Sequence, residues 1–401
     1  MPDLPPIPTS DSGRPTVYVV RRQSTGGGAE TAAARLVEHL SASWEVHRLA
    51  AGTRIAGRKL SGGKGPGWWR ALRFAADVDA ALADQPGVIL NLERGPKCHV
   101  YRAGDGVHLR WRSLRFGSSP LWMTNPLHWL YPRLEAKTVA SARLVVTNSE
   151  MVRREMERTY PQAAHKLRVV LNGFDPRLFF PNPDPTKQSA RAIDLPELNL
   201  PSQLEPCRLF LFVGSGWQRK GLAQALELLA AYNQAVMPNK PRGVLLVVGK
   251  GRPERYRSLL RKWNLDSQVH FLGFRSELTR LYQAADVLVL PTLYDPFANA
   301  CLEAMACDCP VITTANNGAA EVIAHGRTGY VLKKCLGNDF ADAVHWLRTA
   351  TRRPGEVAES VAGLTVDREM RAFSALMEDA GVNGLQQAQR PSIPKNRRSD
   401  F

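Results

Sequence analysis

No run of eighteen apolar residues occurs in this 401-residue chain, so nothing in the sequence reads as a membrane-spanning helix. Metal-ligand spacing is missing too. The six cysteines, Cys98, Cys207, Cys301, Cys307, Cys309 and Cys335, form no zinc pattern, and Cys307-Asp308-Cys309 alone is a weak one. They read as buried thiols of a reducing compartment, and no metal is expected. The first fifteen residues, MPDLPPIPTSDSGRP, hold no apolar leader core and read as a disordered N-terminus. A cytoplasmic protein is therefore expected. Acids are scarce: 37 Asp and Glu stand against 53 Lys and Arg, giving a net charge of +16. That excess implies an acidic partner: nucleic acid, an anionic membrane or a phosphorylated substrate. The glycine-rich turn after the first expected strand has no third glycine at the spacing of the dinucleotide fingerprint, so a dinucleotide oxidoreductase lacks its signature.

What is present is an alternation of short apolar runs with helical patterns, made twice. This predicts an α/β fold of two domains. The first spans 16–175. Residues 176–206, rich in Pro, Asn, Asp and Ser, read as a linker, and the second domain spans 207–362. A closing helix at 363–385 is expected to return to the first domain, followed by a disordered tail over 386–401. At 44% apolar residues, each domain can bury a core.

The stretch VLVLPTLYDPFANACLEAMACDCPVITTANNG, Val287 to Gly318, carries the densest signal. Val287 to Leu290 reads as a buried parallel strand. Asp295 then reads as an N-cap with Pro296 at the first helical position, opening a helix to Ala306. A helix N-terminus at the carboxyl end of a parallel strand is an anion site. Asp295 and Glu303, eight apart, would project on nearly the same side, one beside the anion and one placed for a ribose diol. The plainer alternative is an N-cap and an ordinary surface acid.

Three further stretches stand out. Gly26-Gly27-Gly28, between a strand and a helix, lets the backbone approach a ligand, or is a flexible turn. Gly214-Ser215-Gly216 follows the strand Leu209 to Val213, with Arg219 and Lys220 before the next helix. Cations are unfavourable at that dipole end, so an anionic ligand such as a diphosphate explains them better than a solvated pair. Arg54 to Gly67 reads as a mobile loop ending in Trp68-Trp69. From Gly104 to Glu135 no acid lies between Asp105 and Glu135. There Arg110, Arg112, Arg115 and Arg133 interleave with Trp111, Phe116, Trp122, Trp129 and Tyr131, which suits a membrane surface, a single-stranded nucleic acid or a mixed core. Asp105, between two glycines, is either a site residue or a turn former.

In order, VGSGWQRKG, VVGKG, VHFLGF, the D-x7-E of Asp295 and Glu303, GAAEVI and GRTGYVL resemble glycosyltransferase family 4, over most of residues 16 to 377. YRAGDGVHLRW and the RKG after VGSGW are similar to members that add glucose to an inner-core heptose of lipopolysaccharide. The resemblance implies the GT-B fold, two Rossmann-like domains facing across a cleft, and a retaining, metal-independent hexosyl transfer. No cofactor beyond a nucleotide-sugar co-substrate, UDP-glucose, is implied. It places the donor sugar on Asp295, the ribose on Glu303, the diphosphate on Arg219 and Lys220, and the phosphate-packing glycines on Gly27 and Gly28. Gly214, Ser215, Leu272, Ala298, Asn299 and Ala300 complete the implied donor site. Asp105 matches a cleft aspartate of the close relatives. The family usually has Glu where this chain has Asp295, one methylene shorter. The implied partners are a lipid-linked saccharide acceptor and, through 106–133, an anionic membrane, making the protein peripheral on the inner membrane. Nucleic acid is not expected.

Overall fold

The computed structural model describes residues 14–22, 28–62, 65–184, 207–237, 241–333 and 338–388, with backbone alone for 28–31 and 379–388. Two six-stranded sheets, every neighbouring pair parallel, form its frame. In chain order the first sheet comprises β1 (Thr16–Val20), β2 (Glu45–Leu49), β5 (Val88–Asn91), β6 (Val100–Arg102), β7 (Leu144–Thr147) and β8 (Leu167–Val169), arranged β2-β1-β5-β6-β7-β8. The second comprises β9 (Arg208–Val213), β10 (Gly243–Val248), β11 (Val269–Gly273), β12 (Val287–Leu290), β13 (Val311–Thr314) and β14 (Gly329–Leu332), arranged β11-β10-β9-β12-β13-β14. Helices cover both faces of such sheets, so the inner strands are near-continuous apolar runs, while edge strand β2 carries Glu45, His47 and Arg48. All four residues of β12 are fully buried.

The small antiparallel pair β3 (Arg54–Ile55) and β4 (Arg58–Lys59) lies inside the stretch expected as a mobile loop. Trp68 and Trp69 do not end a loop; they open a 15-residue helix, α2 (Gly67–Ala81), whose Ala71, Phe74, Ala75, Val78 and Ala81 are buried. That spacing of i, i+3, i+4, i+7 is the helical period, and the glycines before it masked it. The segment 104–135 folds as α3 (His108–Phe116), a 3-10 turn (Pro120–Thr124) and the start of α4 (Leu127–Ser141).

The chain crosses between the two sheets twice, side by side. Phe174 pairs with Thr365, with its N–H donating to Leu364 O at 3.0 Å and its O accepting from Val366 N–H at 2.8 Å. A Cβ on Gly173 would stand 2.3 Å from the Thr365 backbone, so this crossing requires glycine. Beyond it the last helix, Val366–Ala388, sends Met370, Phe373 and Met377 into the core built on Val17, Val19 and Leu36. It runs three residues into the tail expected to be disordered. Arg102 holds it through a buried ion pair with Glu369, which also accepts the Gly173 N–H at 2.8 Å. Of the expected linker, 185–206 lies outside the described residues. The part before it runs over the second domain, with Leu178 O accepting from Thr279 and Phe180 O from Gln283.

Candidate active site

In the second sheet the strand order reverses between β9 and β12. The loops leaving the carboxyl ends of those two strands diverge and open a crevice, the usual ligand position in such sheets. The loop after β9 is Gly214-Ser215-Gly216, followed by one helical turn, Trp217–Lys220, between two glycines in left-handed conformation, Gly216 (φ 72°) and Gly221 (φ 82°). A Cβ on Gly221 would meet Pro291 O at 2.0 Å. The bare glycine lets this turn lie directly on the loop after β12. There Arg219 O accepts from Leu293 N–H at 2.8 Å and from the Thr292 hydroxyl at 3.0 Å.

The consequence is a cluster of charge. Asp295 Oδ2 accepts from Lys220 Nζ at 2.7 Å and from Arg219 Nη1 at 2.8 Å. Burial pushes the Asp295 carboxyl up, but Lys220 and then Arg219 outweigh it and hold the group below its ordinary value. Asp295 is therefore no N-cap, contrary to the sequence reading. The helix begins at Asn299 and runs to Ala306, and Ala298 N–H is taken by Asn317 Oδ1 at 3.1 Å. The side chain expected to cap the helix is committed to the two cations, and Asn317 does the capping. Asp295 and Glu303 consequently do not share one helical face.

Glu303 lies inside that helix. Its Oε2 accepts the Tyr282 hydroxyl at 3.0 Å, and burial raises its pKa against the pull of Tyr282, Arg35 and Lys220. Arg35, on α1 (Gly28–Leu40) of the first domain, thus acts on Glu303 from across the crevice. Asn299 Oδ1 accepts from Asn172 Nδ2 at 2.7 Å, another contact between the domains. Ala298 and Ala300 flank it at the helix start, Ala298 buried and Ala300 half-buried. Gly214 lies against the Lys220 stem: an added Cβ would stand 3.3 Å from Lys220 Cε. Ser215 Oγ accepts from Lys250 N–H at 3.1 Å, tying the turn to the loop after β10. Leu272 is half-buried one residue before the end of β11. Gly27 lies outside the described residues, and Gly28 is the first residue of its helix. Cys301, under the cluster, is pushed up to about 12 by burial and stays a protonated thiol.

The first domain presents Asp105. Arg94 Nη1 lies 3.6 Å from Asp105 Oδ2, and its Nη2 donates to Asp105 O at 3.0 Å and Gly106 O at 2.7 Å. Arg94 is itself held by fully buried Glu135 at 2.6 Å. A Cβ on Gly106 (φ 67°) would meet Tyr294 Oη at 2.3 Å and Pro296 Cγ at 2.9 Å. The Asp105 turn therefore rests on the segment that carries Asp295. Arg94, Arg35, Tyr282 and Tyr294 were not singled out in the sequence. Only Arg94 left a signal there, standing just after an apolar run in LNLERG.

The basic aromatic segment divides between two roles. Arg110 donates to Asn316 Oδ1 at 3.2 Å and pairs with Glu155 at 3.3 Å, and Arg115 donates to Gln218 Oε1 at 3.1 Å. Arg110 and Arg115 therefore reach across to the second domain. Arg112 lies over the Trp122 ring at 4.0 Å, and exposed Arg133 donates to Trp129 O. Leu121, Met123 and Trp129 are exposed beside them, while His108 and His128 are buried and face each other at 3.2 Å.

Fold and crevice together define a GT-B glycosyltransferase, two Rossmann-like domains with a cation-lined switch point in the second sheet. Residues 26–178 match the family model described as Glycosyltransferase Family 4, and residues 202–357 match Glycosyl transferases group 1. The chain thus carries glycosyltransferase family 4 and group 1 domains, one in each half. It is similar to the lipopolysaccharide glucosyltransferase WaaG of Escherichia coli K12, 35% identical over 140 residues, which are 35% of this chain and 37% of WaaG. It is similar also to a D-inositol 3-phosphate glycosyltransferase of Corynebacterium aurimucosum, 28% identical over 218 residues, 53% of this chain and 50% of that protein. The match thus spans half or less of either relative's length. The fold is that of the solved structure of WaaG (TM-score 0.66, 20% identity, 94% of this chain and 96% of that one). It is also that of Anabaena HepE in complex with UDP-glucose (TM-score 0.65, 17% identity, 91% and 99%).

Proposed function

We propose that this protein transfers glucose from UDP-glucose to an inner-core heptose of lipopolysaccharide, with retention at the anomeric carbon and without a metal. One observation carries the reading: Arg219 and Lys220 both bond one buried carboxylate, Asp295, at the switch point. Two cations against one acid leave a positive charge in excess, in a crevice open to a ligand. When the bond from the sugar to UDP breaks, negative charge builds on the diphosphate, and fixed cations there lower the barrier in the role a divalent metal would fill. Asp295 keeps both cations aimed and meets the donor sugar. Glu303, buried at the crevice and bonded to the Tyr282 hydroxyl, holds the ribose. The glucosyl donor is supported by the HepE structure holding UDP-glucose, and the acceptor by the likeness to WaaG.

A lipid-linked acceptor requires the crevice near a bilayer. We place the surface of Leu121, Met123, Trp129, Arg112 and Arg133 on an anionic leaflet, leaving the protein peripheral on the inner membrane. No described helix is long and apolar enough to cross a membrane. The test is a thermal-shift panel of nucleotide sugars, followed by transfer of labelled glucose to a heptose-terminated core lipid and determination of the product anomer. UDP-glucose should give the largest shift, and the product should be α-linked. Absence of any nucleotide-sugar shift, with salt-sensitive binding of an oligonucleotide instead, overturns the reading.

A further inference from the structure

Tyr294 sits between the two halves of the crevice, with both its carbonyl and its hydroxyl engaged. It is 2% exposed. Its backbone O accepts from Arg219 Nη1 at 3.1 Å, inside the second domain. Its hydroxyl accepts from Val107 N–H at 3.0 Å and donates to Glu155 Oε2 at 2.6 Å, both in the first domain. The other Glu155 oxygen receives Arg110, which also reaches Asn316 of the second domain. Gly106 lies directly against the hydroxyl, where no Cβ fits. One residue thus touches, at one end, the cation that faces the diphosphate and, at the other, the turn that carries Asp105.

We infer that Tyr294 is a positioning residue that couples closure of the domains to alignment of the Asp105 turn with the Arg219–Lys220 cations. The inference rests on the glycosyltransferase reading and names a residue which that reading does not use. If the domains part, the hydroxyl loses both partners, Val107 N–H loses its acceptor and Glu155 its shortest donor. These groups are desolvated, so the pairing is all or none rather than graded. Neighbouring contacts hold the same edge: Ser149 Oγ donates to Pro296 O at 2.8 Å, and Glu321 accepts the Glu150 N–H at 2.8 Å. They join the same two domains but touch neither Asp105 nor the cations. Tyr294 touches both ends, so it conveys to the Asp105 turn whether the diphosphate side is in place.

The experiment compares wild type with Tyr294→Phe, Glu155→Gln and Glu155→Leu in the full chain. The readout is the ratio of glucosyl transfer to UDP-glucose hydrolysis by water. A fraction of unfolded enzyme scales both rates alike and leaves that ratio unchanged. Tyr294→Phe should lower the ratio about tenfold or more, with UDP affinity by calorimetry within about twofold. Glu155→Leu should do the same, while Glu155→Gln, which keeps an acceptor for the tyrosine hydroxyl, should stay near wild type. Small-angle scattering of the ligand-free proteins gives a second arm, in which Tyr294→Phe should show a larger radius of gyration than wild type. A wild-type ratio and an unchanged radius in Tyr294→Phe overturn the inference. Should wild type itself bind no UDP, the glycosyltransferase reading fails, and the scattering comparison still decides whether Tyr294 holds the domains together.

Discussion

Lys220 and Asp295 are joined by a 2.7 Å contact between Nζ and Oδ2, although 75 residues separate them in the chain. Neither is well exposed: their side chains show 12% and 9% of their surface. The contact closes the crevice floor between β9 and β12, and it makes the acid and the base of this site one unit. Arg219 shares the same oxygen but is 42% exposed, so it is the cation freer to turn toward a ligand.

Replacing Lys220 by Ala should cut turnover at saturating donor about a hundredfold or more, the usual cost of removing one charge contact to a developing anion. Turnover within about twofold of wild type would reduce Lys220 to a structural partner of Asp295. Asp295→Asn makes the complementary case. It leaves two cations facing each other, so the ligand-free protein should lose stability, on the order of 2 kcal/mol after allowing for the exposure of Arg219. UDP restores the missing negative charge. Its thermal shift should therefore be larger in Asp295→Asn than in wild type, and an equal or smaller shift would remove the diphosphate from this position.

Glu303→Gln should weaken UDP binding while leaving the apo protein as stable as wild type or more so at pH 7. The sign follows from the raised pKa of Glu303, caused first by burial. A carboxyl raised in the folded state favours folding at low pH, and that contribution is lost as pH rises through its folded value. At neutral pH the ionised group is a cost, which Gln removes while still accepting the Tyr282 hydroxyl. Calorimetry with UDP and a melting curve check both halves. Unchanged UDP affinity takes Glu303 out of the site.

The sheets were legible because most of their strands, β10 and β12 above all, are apolar runs, and the Gly214 turn with its two cations because cations beside a helix start call for an anion. Asp295 was legible as an acid near the crevice, but not as the partner of the two cations. The Asp-Pro pair has the local chemistry of a helix cap, and only the return of a distant turn, admitted by the bare Gly221, claims its carboxylate. Tyr294, Arg94 and Arg35 went unnoticed for a related reason. Their partners Val107, Glu155, Gly106 and Glu303 lie on other elements or in the other domain, and no spacing within the sequence encodes such contacts. The helix opening at Gly67 was hidden by composition, since glycines and lysines precede the tryptophans that begin it.

His108 and His128 make the stability of the first domain depend on mild acid. Burial first, then Arg94, His128 and Arg112, lowers the His108 pKa to about 3, and burial and Arg112 also lower that of His128. His108 stays neutral in the folded state, and His128 shifts in the same sense, while an unfolded chain takes up protons near pH 6.5. Stability is therefore fully present above about pH 6.5 and falls as pH drops below it, by about 1.4 kcal/mol per unit for one such group. Urea midpoints at pH 7.5 and 5.5 should differ, and the difference should shrink in His108→Gln. It should not vanish, because His99 is lowered to about 4 in the same sense. An identical pH dependence in the variant would show that the pair is not what senses acid.

The last prediction separates the two roles of the arginines between 106 and 133. Arg110 and Arg115 are engaged with Asn316, Glu155 and Gln218, so they belong to the crevice. Arg112, Arg133, Leu121, Met123 and Trp129 belong to the outer face, and Leu121 is 65% exposed. An arginine near an anionic leaflet contributes about 1 kcal/mol, and apolar side chains inserted among head groups add to it. A variant carrying Arg112→Ser, Arg133→Ser, Leu121→Ser and Trp129→Ser should lose co-sedimentation with vesicles containing anionic lipid, yet keep hydrolysis of UDP-glucose in solution. A second variant, Arg110→Ser with Arg115→Ser, should sediment like wild type and lose transfer, because its lesion lies between the domains. Wild-type binding should weaken as salt rises, since the attraction is screened within a Debye length. If the first variant binds as wild type does, or binding ignores lipid charge, this face does not dock on a membrane. If the second variant loses vesicle binding instead, the docking arginines are the pair that spans the crevice.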